Sequence, residues 1–182
     1  MAKLGRKKLT FNATFTYDRQ VKEAGFVEKR PLRSRSHGVA RRLFVPPKVV
    51  ELIDGKWAPP QGFPTAEADV VIGRYCAGHA ITISEKSVKR VDLEKLEELD
   101  EAWALCFRKP RPGWRILGRF IEKDVFVGMV AYVRHELGSV SNYTALANKM
   151  IADWEKTFSG IDPVRGDFPD DYLSGVLSNA DG

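Results

Sequence analysis

Four arginines, Arg108, Arg115, Arg119 and Arg134, fall in one run from Glu101 to His135, together with Tyr132 and His135. Arginine donates two parallel hydrogen bonds from a planar fork and keeps its charge, so a group of arginines suits phosphate. Cleavage of RNA without a metal needs three things: a ribose 2′-OH aligned with phosphorus, stabilisation of the added negative charge, and proton transfer at both ends. The arginines fit the second task. Tyr132 or His135 fits the third, since imidazole titrates near neutrality. The catalytic candidates are therefore Arg115, Arg119, Tyr132, Arg134 and His135, with Arg108 as a nucleic-acid contact. The same arginines also suit the chain's own carboxylates, and exposed charge is their usual state.

Three strands must position this set. Glu101–Arg108, Pro112–Phe120 and Val125–Arg134 are rich in β-branched and aromatic residues. Lys109–Gly113 and Glu122–Asp124, between them, have the composition of hairpin connections. Side chains alternate between the faces of a strand. If Phe120 faces Val125, then Gly118 faces Val127, Ile116 faces Met129 and Trp114 faces Ala131. Trp103, Leu105 and Phe107 join that apolar face. The other face receives Ala104, Cys106, Arg108, Arg115, Leu117, Arg119, Phe126, Val130, Tyr132 and Arg134. A slip of one residue would exchange the two faces.

Around this meander the spacing predicts a short helix near 93–99, capped by Asp92. It also predicts a helix over 142–158 with Ser141 as its cap. Tyr143, Ala147, Met150, Trp154 and Phe158 form one apolar stripe on that helix, expected to cover the apolar face of the sheet. Phe11–Tyr17 alternates as a strand, Asp18–Gly25 reads as a turn or short helix, and Arg42–Val45 as a strand. Lys48–Ala58 reads as a hairpin around Asp54-Gly55. Val70–Cys76 and Ala80–Ser84 read as two further strands. The acidic tail, with Phe168, Tyr172 and Leu173, reads as a short docked helix. The expected fold is α+β, a mostly antiparallel sheet with flanking helices. Pro59–Ala68 marks an internal boundary, giving a basic segment 1–68 and a core 69–182, or one domain overall.

Net charge is +5, but residues 1–48 hold 13 of the 29 Lys and Arg and only three of the 24 acids. Lys29–Arg42 is the most basic stretch. Lys29, Arg30, Arg33, Arg35, Arg41 and Arg42 are its candidate nucleic-acid contacts, read as a loop that tracks phosphate. The expected partner is nucleic acid, RNA ahead of DNA, or else an acidic protein surface. No apolar run approaches the ~20 residues of a membrane span. The N-terminus lacks a secretory h-region, so a cytoplasmic protein with no membrane partner is expected.

Other chemistries are weaker. Cys76 and His79 have ligand-like spacing, but Cys106 and His135 are isolated from them, so no metal or cofactor is expected. Cys106 lies beside Arg115 in the proposed pairing, yet a small buried cysteine is the simpler reading. Glu94, Glu97, Glu98, Asp100 and Glu101 form an acidic set, read as a solvated helix face.

The segments LEELDEAWALCFRK, PGWRILGRF, VFVGMVAYVRHEL and NYTALANKMIADWEKTF, over residues 93–158, resemble the core of RelE/HigB-type toxins. Trp103, Arg115 and Arg134-His135 match the family's motifs. The resemblance implies a metal-independent endoribonuclease of a toxin–antitoxin pair and a cognate inhibitor protein. The sequence departs from the family in its Arg-His pair, in Ala-Leu-Cys where Glu-Leu-Arg is usual, and in the long N-terminal half. A non-enzymatic accessory factor or inhibitor of a nucleic-acid machine is the alternative.

Overall fold

The computed structural model describes residues 16–30, 40–57, 59, 62–84, 91–96, 98–174 and 177–178. The expected strand at Phe11–Tyr17 lies almost wholly outside them, as do Arg33 and Arg35. In chain order the elements are α1 (Asp18–Glu23), β1 (Val27–Glu28), β2 (Arg42–Val45), α2 (Pro47–Ile53), α3 (Thr65–Cys76), β3 (Thr82–Ser84), β4 (Leu93–Lys95), β5 (Trp103–Phe107), β6 (Trp114–Glu122), β7 (Val125–Val133), α4 (Arg134–Leu137), α5 (Val140–Thr157), α6 (Pro169–Tyr172) and β8 (Leu177–Ser178).

The strands form one sheet in the order β1-β2-β7-β6-β5-β4-β3-β8. The meander β5-β6-β7 lies at its centre and is antiparallel, as are β1-β2 and β4-β5. β2 runs parallel to β7, and β3 runs parallel to both β4 and β8. The fold is α+β with a mixed, mostly antiparallel sheet. Residue 68 lies inside α3, and β2 joins the sheet beside β7, so one sheet and one core draw on both sides of the expected boundary.

Helices cover both faces. On one side Trp103, Leu105, Phe107, Trp114, Ile116 and Phe120 pack against α2 and α3, with Tyr172 and Leu173 of the docked tail completing the cluster. On the other side Ala147 and Met150 of α5 meet Ala104 and Leu117. Trp154 and Phe158 pack there with Phe44, Val125 and Val127, and with Val21 at α1. The stripe on α5 is therefore buried as its spacing predicts. It covers the arginine side of the sheet, however, not the face that holds Trp103 and Ile116.

Several elements differ from expectation. Pro47–Ile53 is a helix: Pro47 sits in its first turn, Val49, Leu52 and Ile53 share its buried side, and Gly55 ends it at φ +69°. Thr65–Cys76 is a helix because Ala68, Val71, Ile72, Tyr75 and Cys76 recur at three and four residues and all are buried. Leu93–Lys95, at the start of the helix expected near 93–99, is a strand. Leu93 is the core residue of a strand opposite Leu105, and Glu98 and Glu101 take positive φ in the turn that follows. Helix α5 begins at Val140, with Ser139 as its cap, accepting from the Asn142 N–H at 3.3 Å.

The register of β6 and β7 also shifts. Phe120 pairs with Phe126 and Ile116 with Ala131, with irregularities near Gly118 and Phe120. The bulge reverses the first half of β7, so Phe126 joins Phe120 in the helix α2–α3 core while Val125 and Val127 face α5. Gly118 is required here. A Cβ on it would stand 2.1 Å from the Val127 carbonyl oxygen and 2.8 Å from Gly128 Cα, both backbone atoms. Gly118→Ala is therefore expected to lower unfolding stability by about 1–3 kcal/mol, measured by urea denaturation, whereas Gly25→Ala, which meets no neighbouring atom, costs only its positive-φ strain.

Candidate functional site

The cations nominated from sequence divide into two groups. The first is consumed inside the fold. Arg119 is wholly enclosed beneath α5, at 0% exposure. Its guanidinium donates to Glu155 Oε1 at 2.9 Å, to Asp100 Oδ2 at 2.7 Å and to the Asp100 carbonyl at 2.8 Å. It also lies 5.5 Å from the Trp154 ring centroid. A guanidinium held this way has no face left for phosphate, and Arg119 is a structural arginine rather than an open ligand.

The N-terminal basic residues in view behave similarly. Arg42 is buried and forks onto Glu28 at 2.9 and 3.0 Å, with Asp18 as a second partner. Arg41 is buried, donating to the His79 carbonyl at 2.9 Å and to the Ser174 carbonyl, 3.5 Å from Asp124. Lys29 is buried against Asp54. Arg30 is exposed and reaches Glu28 at 3.2 Å. The segment's described ends are thus pinned into the core by these residues.

The second group gathers at one end of the meander, beside the start of α5. Tyr132, Arg115 and Cys106 lie side by side across β7, β6 and β5. Arg115 Nε is 3.8 Å from Glu94 Oε2 on β4 and lacks a hydrogen-bond acceptor, while its Nη1 donates to the Trp114 carbonyl at 3.0 Å. Burial pushes the Cys106 thiol up to about 12, against the pull of Arg115, so it is not a thiolate nucleophile at neutral pH. Burial likewise raises Tyr132, which therefore stays a neutral phenol. Arg108 donates to the Val91 carbonyl.

Arg134 and His135 sit on α4 immediately after β7, both exposed. The Arg134 N–H donates to the Gly113 carbonyl at 2.8 Å. That bond ties this corner to the β5–β6 connection, where Lys109 and Arg111 are exposed. Among the described residues no carboxylate forms an ion pair with Lys109, Arg111 or Arg134. Glu67 and Glu136 share the corner, and each gives an oxygen to a backbone N–H, of Lys109 and Val133 respectively.

Next to this corner is a cavity of about 240 Å³ lined by Glu94, Leu96, Leu99, Arg134, Ser139 and Tyr143, among others. The Arg134 guanidinium lies 6.0 Å from the Tyr143 ring centroid. Tyr143 Oη is buried without a partner, and burial raises its pKa. Sequence reasoning placed Arg134 here but missed Glu94, taken as a solvated helical acid, and Tyr143, taken only as core. Among the described residues no group of three or more His, Cys, Asp or Glu is gathered to hold a metal ion, and no helix is long and apolar enough to cross a membrane. Comparison with protein-family models, curated proteins and solved structures finds no match to this chain.

Two predictions follow from the buried charges. Asp100→Asn with Glu155→Gln leaves the Arg119 cation enclosed and uncompensated, and is expected to cost about 3–5 kcal/mol in urea unfolding. Adding Arg119→Met to that pair should restore most of the loss. The second concerns pH. Hydrogen bonds from Arg165 and Arg119 hold the Asp100 carboxyl low. Burial would raise Asp18 and Glu28, but Lys22 and Arg42 on the first, and Arg42 and Arg30 on the second, outweigh it and both are lowered. A lowered folded pKa means that the unfolded chain binds more protons, so this stability is complete above the unfolded carboxylate range and is lost as pH falls through the folded values. Thermal denaturation from pH 6 downward should show a Tm that is level to about pH 5 and falls steadily below about pH 4.

Proposed function

We propose that this protein binds single-stranded RNA at the corner where the β5–β6 connection meets α4. One observation carries the reading. Three exposed cations without carboxylate partners among the described residues stand together there, Arg134, which the sequence singled out, and Lys109 and Arg111, which it did not, next to a cavity of about 240 Å³. Lys109, Arg111 and Arg134 are unpaired and exposed, with His135 beside them. Phosphate contacts of this kind give affinity that falls with salt. Sequence-selective RNA recognition works on unstacked bases placed in pockets, and the adjoining cavity is of that scale.

The reading is of binding. The catalytic roles expected of Arg119 and Tyr132 gain no support from their surroundings, since one is enclosed by its own carboxylates and the other is a half-buried neutral phenol. On the arginine side of the meander, Ala147 and Met150 of α5 pack over Ala104 and Leu117.

The test is binding of a labelled single-stranded RNA and a duplex DNA across a salt series, with gels of the same samples to reveal cleavage. The expected result is a salt-dependent RNA complex with intact RNA. Lys109→Ala/Arg111→Ala should weaken it and flatten the slope of log affinity against log salt by about 1.4, two phosphates at about 0.7 each. Absence of RNA binding at low salt would overturn the proposal and direct attention to a protein partner.

A further inference from the structure

We infer that the cavity beside α5 takes one base of the bound strand, and that the base is guanine, read by the Glu94 carboxylate. The inference rests on the RNA-binding reading above and gives it a sequence preference. At about 240 Å³ the cavity is smaller than the roughly 300–1,000 Å³ of drug-sized pockets, so it suits one ring system. Its walls suit a flat one: Leu96 and Leu99 are apolar, and the Tyr143 ring and Arg134 guanidinium, 6.0 Å apart, are surfaces of the type on which unstacked bases lie.

The polar group that selects among flat ligands is Glu94. Its side chain is 13% exposed, and its contacts are long and confined to one oxygen, Oε2, at 3.8 Å from Arg115 Nε and 3.9 Å from Cys106 Sγ. The second oxygen has no donor among the described residues. A carboxylate accepts and cannot donate, so it favours a ligand edge that offers adjacent N–H groups. Guanine presents N1–H and the 2-amino group side by side. Cytosine and adenine each set a ring acceptor beside their amino group, and uracil flanks its single N–H with carbonyls. A cationic ligand such as an arginine side chain is disfavoured by Arg115 and Arg134 around the same space. A neutral donor edge attached to a phosphate satisfies the carboxylate and the cations together.

The experiment compares three labelled RNA octamers of uridine, carrying at the centre guanosine, inosine or uridine, by fluorescence anisotropy with the full-length protein. Inosine keeps N1–H and lacks the 2-amino group. The guanosine strand is expected to bind about tenfold tighter than the uridine strand, with inosine between them. Glu94→Gln should erase the preference, so that the guanosine strand binds no tighter than the uridine strand. Leu99→Trp, which fills the cavity from its half-buried wall, should do the same, with matching circular dichroism melts showing that both variants fold. Equal affinity for the three strands would overturn the guanine assignment while leaving RNA binding intact. If no strand binds, the RNA-binding reading fails, and calorimetric titration with GMP decides the pocket alone: saturable heat that Glu94→Gln abolishes supports it, and no heat ends it.

Discussion

The enclosed guanidinium of Arg119 is the interaction on which the architecture turns. It springs from the central strand β6, where the meander would otherwise present a charge to an apolar layer. A buried cation is tolerated only when it is paired and hydrogen-bonded. Here Glu155 comes from α5, Asp100 from the β4–β5 turn, and Arg165 from the segment after α5 closes on the same Asp100 at 3.2 Å. Trp154 seals the group from above. One charge thus fixes where α5 crosses the sheet, how the turn into β5 is held, and which face of the meander is closed. Replacing the set by apolar residues need not destabilise the fold, but breaking it leaves a stranded charge. That asymmetry makes the cluster a device for specifying the arrangement more than for adding free energy.

Closing that face determines what remains for binding. With Arg119, Arg41, Arg42 and Lys29 consumed internally, much of the basic character noted along the described chain holds the chain together. Lys109, Arg111 and Arg134, exposed and without carboxylate partners among the described residues, stand at the end of the sheet where the strands give way to α4 and to the β5–β6 connection. The cavity lies at that margin because α5 starts there, and Glu94, on the next strand but one from Arg115, forms its polar wall.

The meander was legible because its two connections interrupt runs that alternate with period two, and Trp103, Leu105, Phe107, Trp114, Ile116 and Phe120 do share one face. The stripe on α5 was legible for the corresponding reason at helical period. What could not be read was sidedness. Both faces of this sheet are covered, so Leu117 and Ala104 are as buried as Leu105, and alternation no longer marks which face meets which helix. Helices α2 and α3 were misread because runs such as Val70-Val71-Ile72 are β-branched; the helical recurrence of Ala68, Val71, Ile72, Tyr75 and Cys76 was the stronger signal. The register of β7 was misread because a bulge near Gly118 is invisible to a pairing rule that counts evenly from the turn. At the site, Arg134 and His135 were found by type, whereas Glu94 needed the knowledge that residues 93–95 form a strand.

The most direct test of the account is an NMR titration of the labelled protein with a short single-stranded RNA, following backbone amides and arginine side-chain N–H signals. The account predicts that shifts concentrate at Lys109–Gly113, Arg134–His135, Glu94 and Tyr143, while Arg119 Nε–H, Asp100 and Glu155 hold their positions. Strong perturbation of Arg119 and its carboxylate partners, with the corner unaffected, would mean that the closed face opens to ligand and would contradict it.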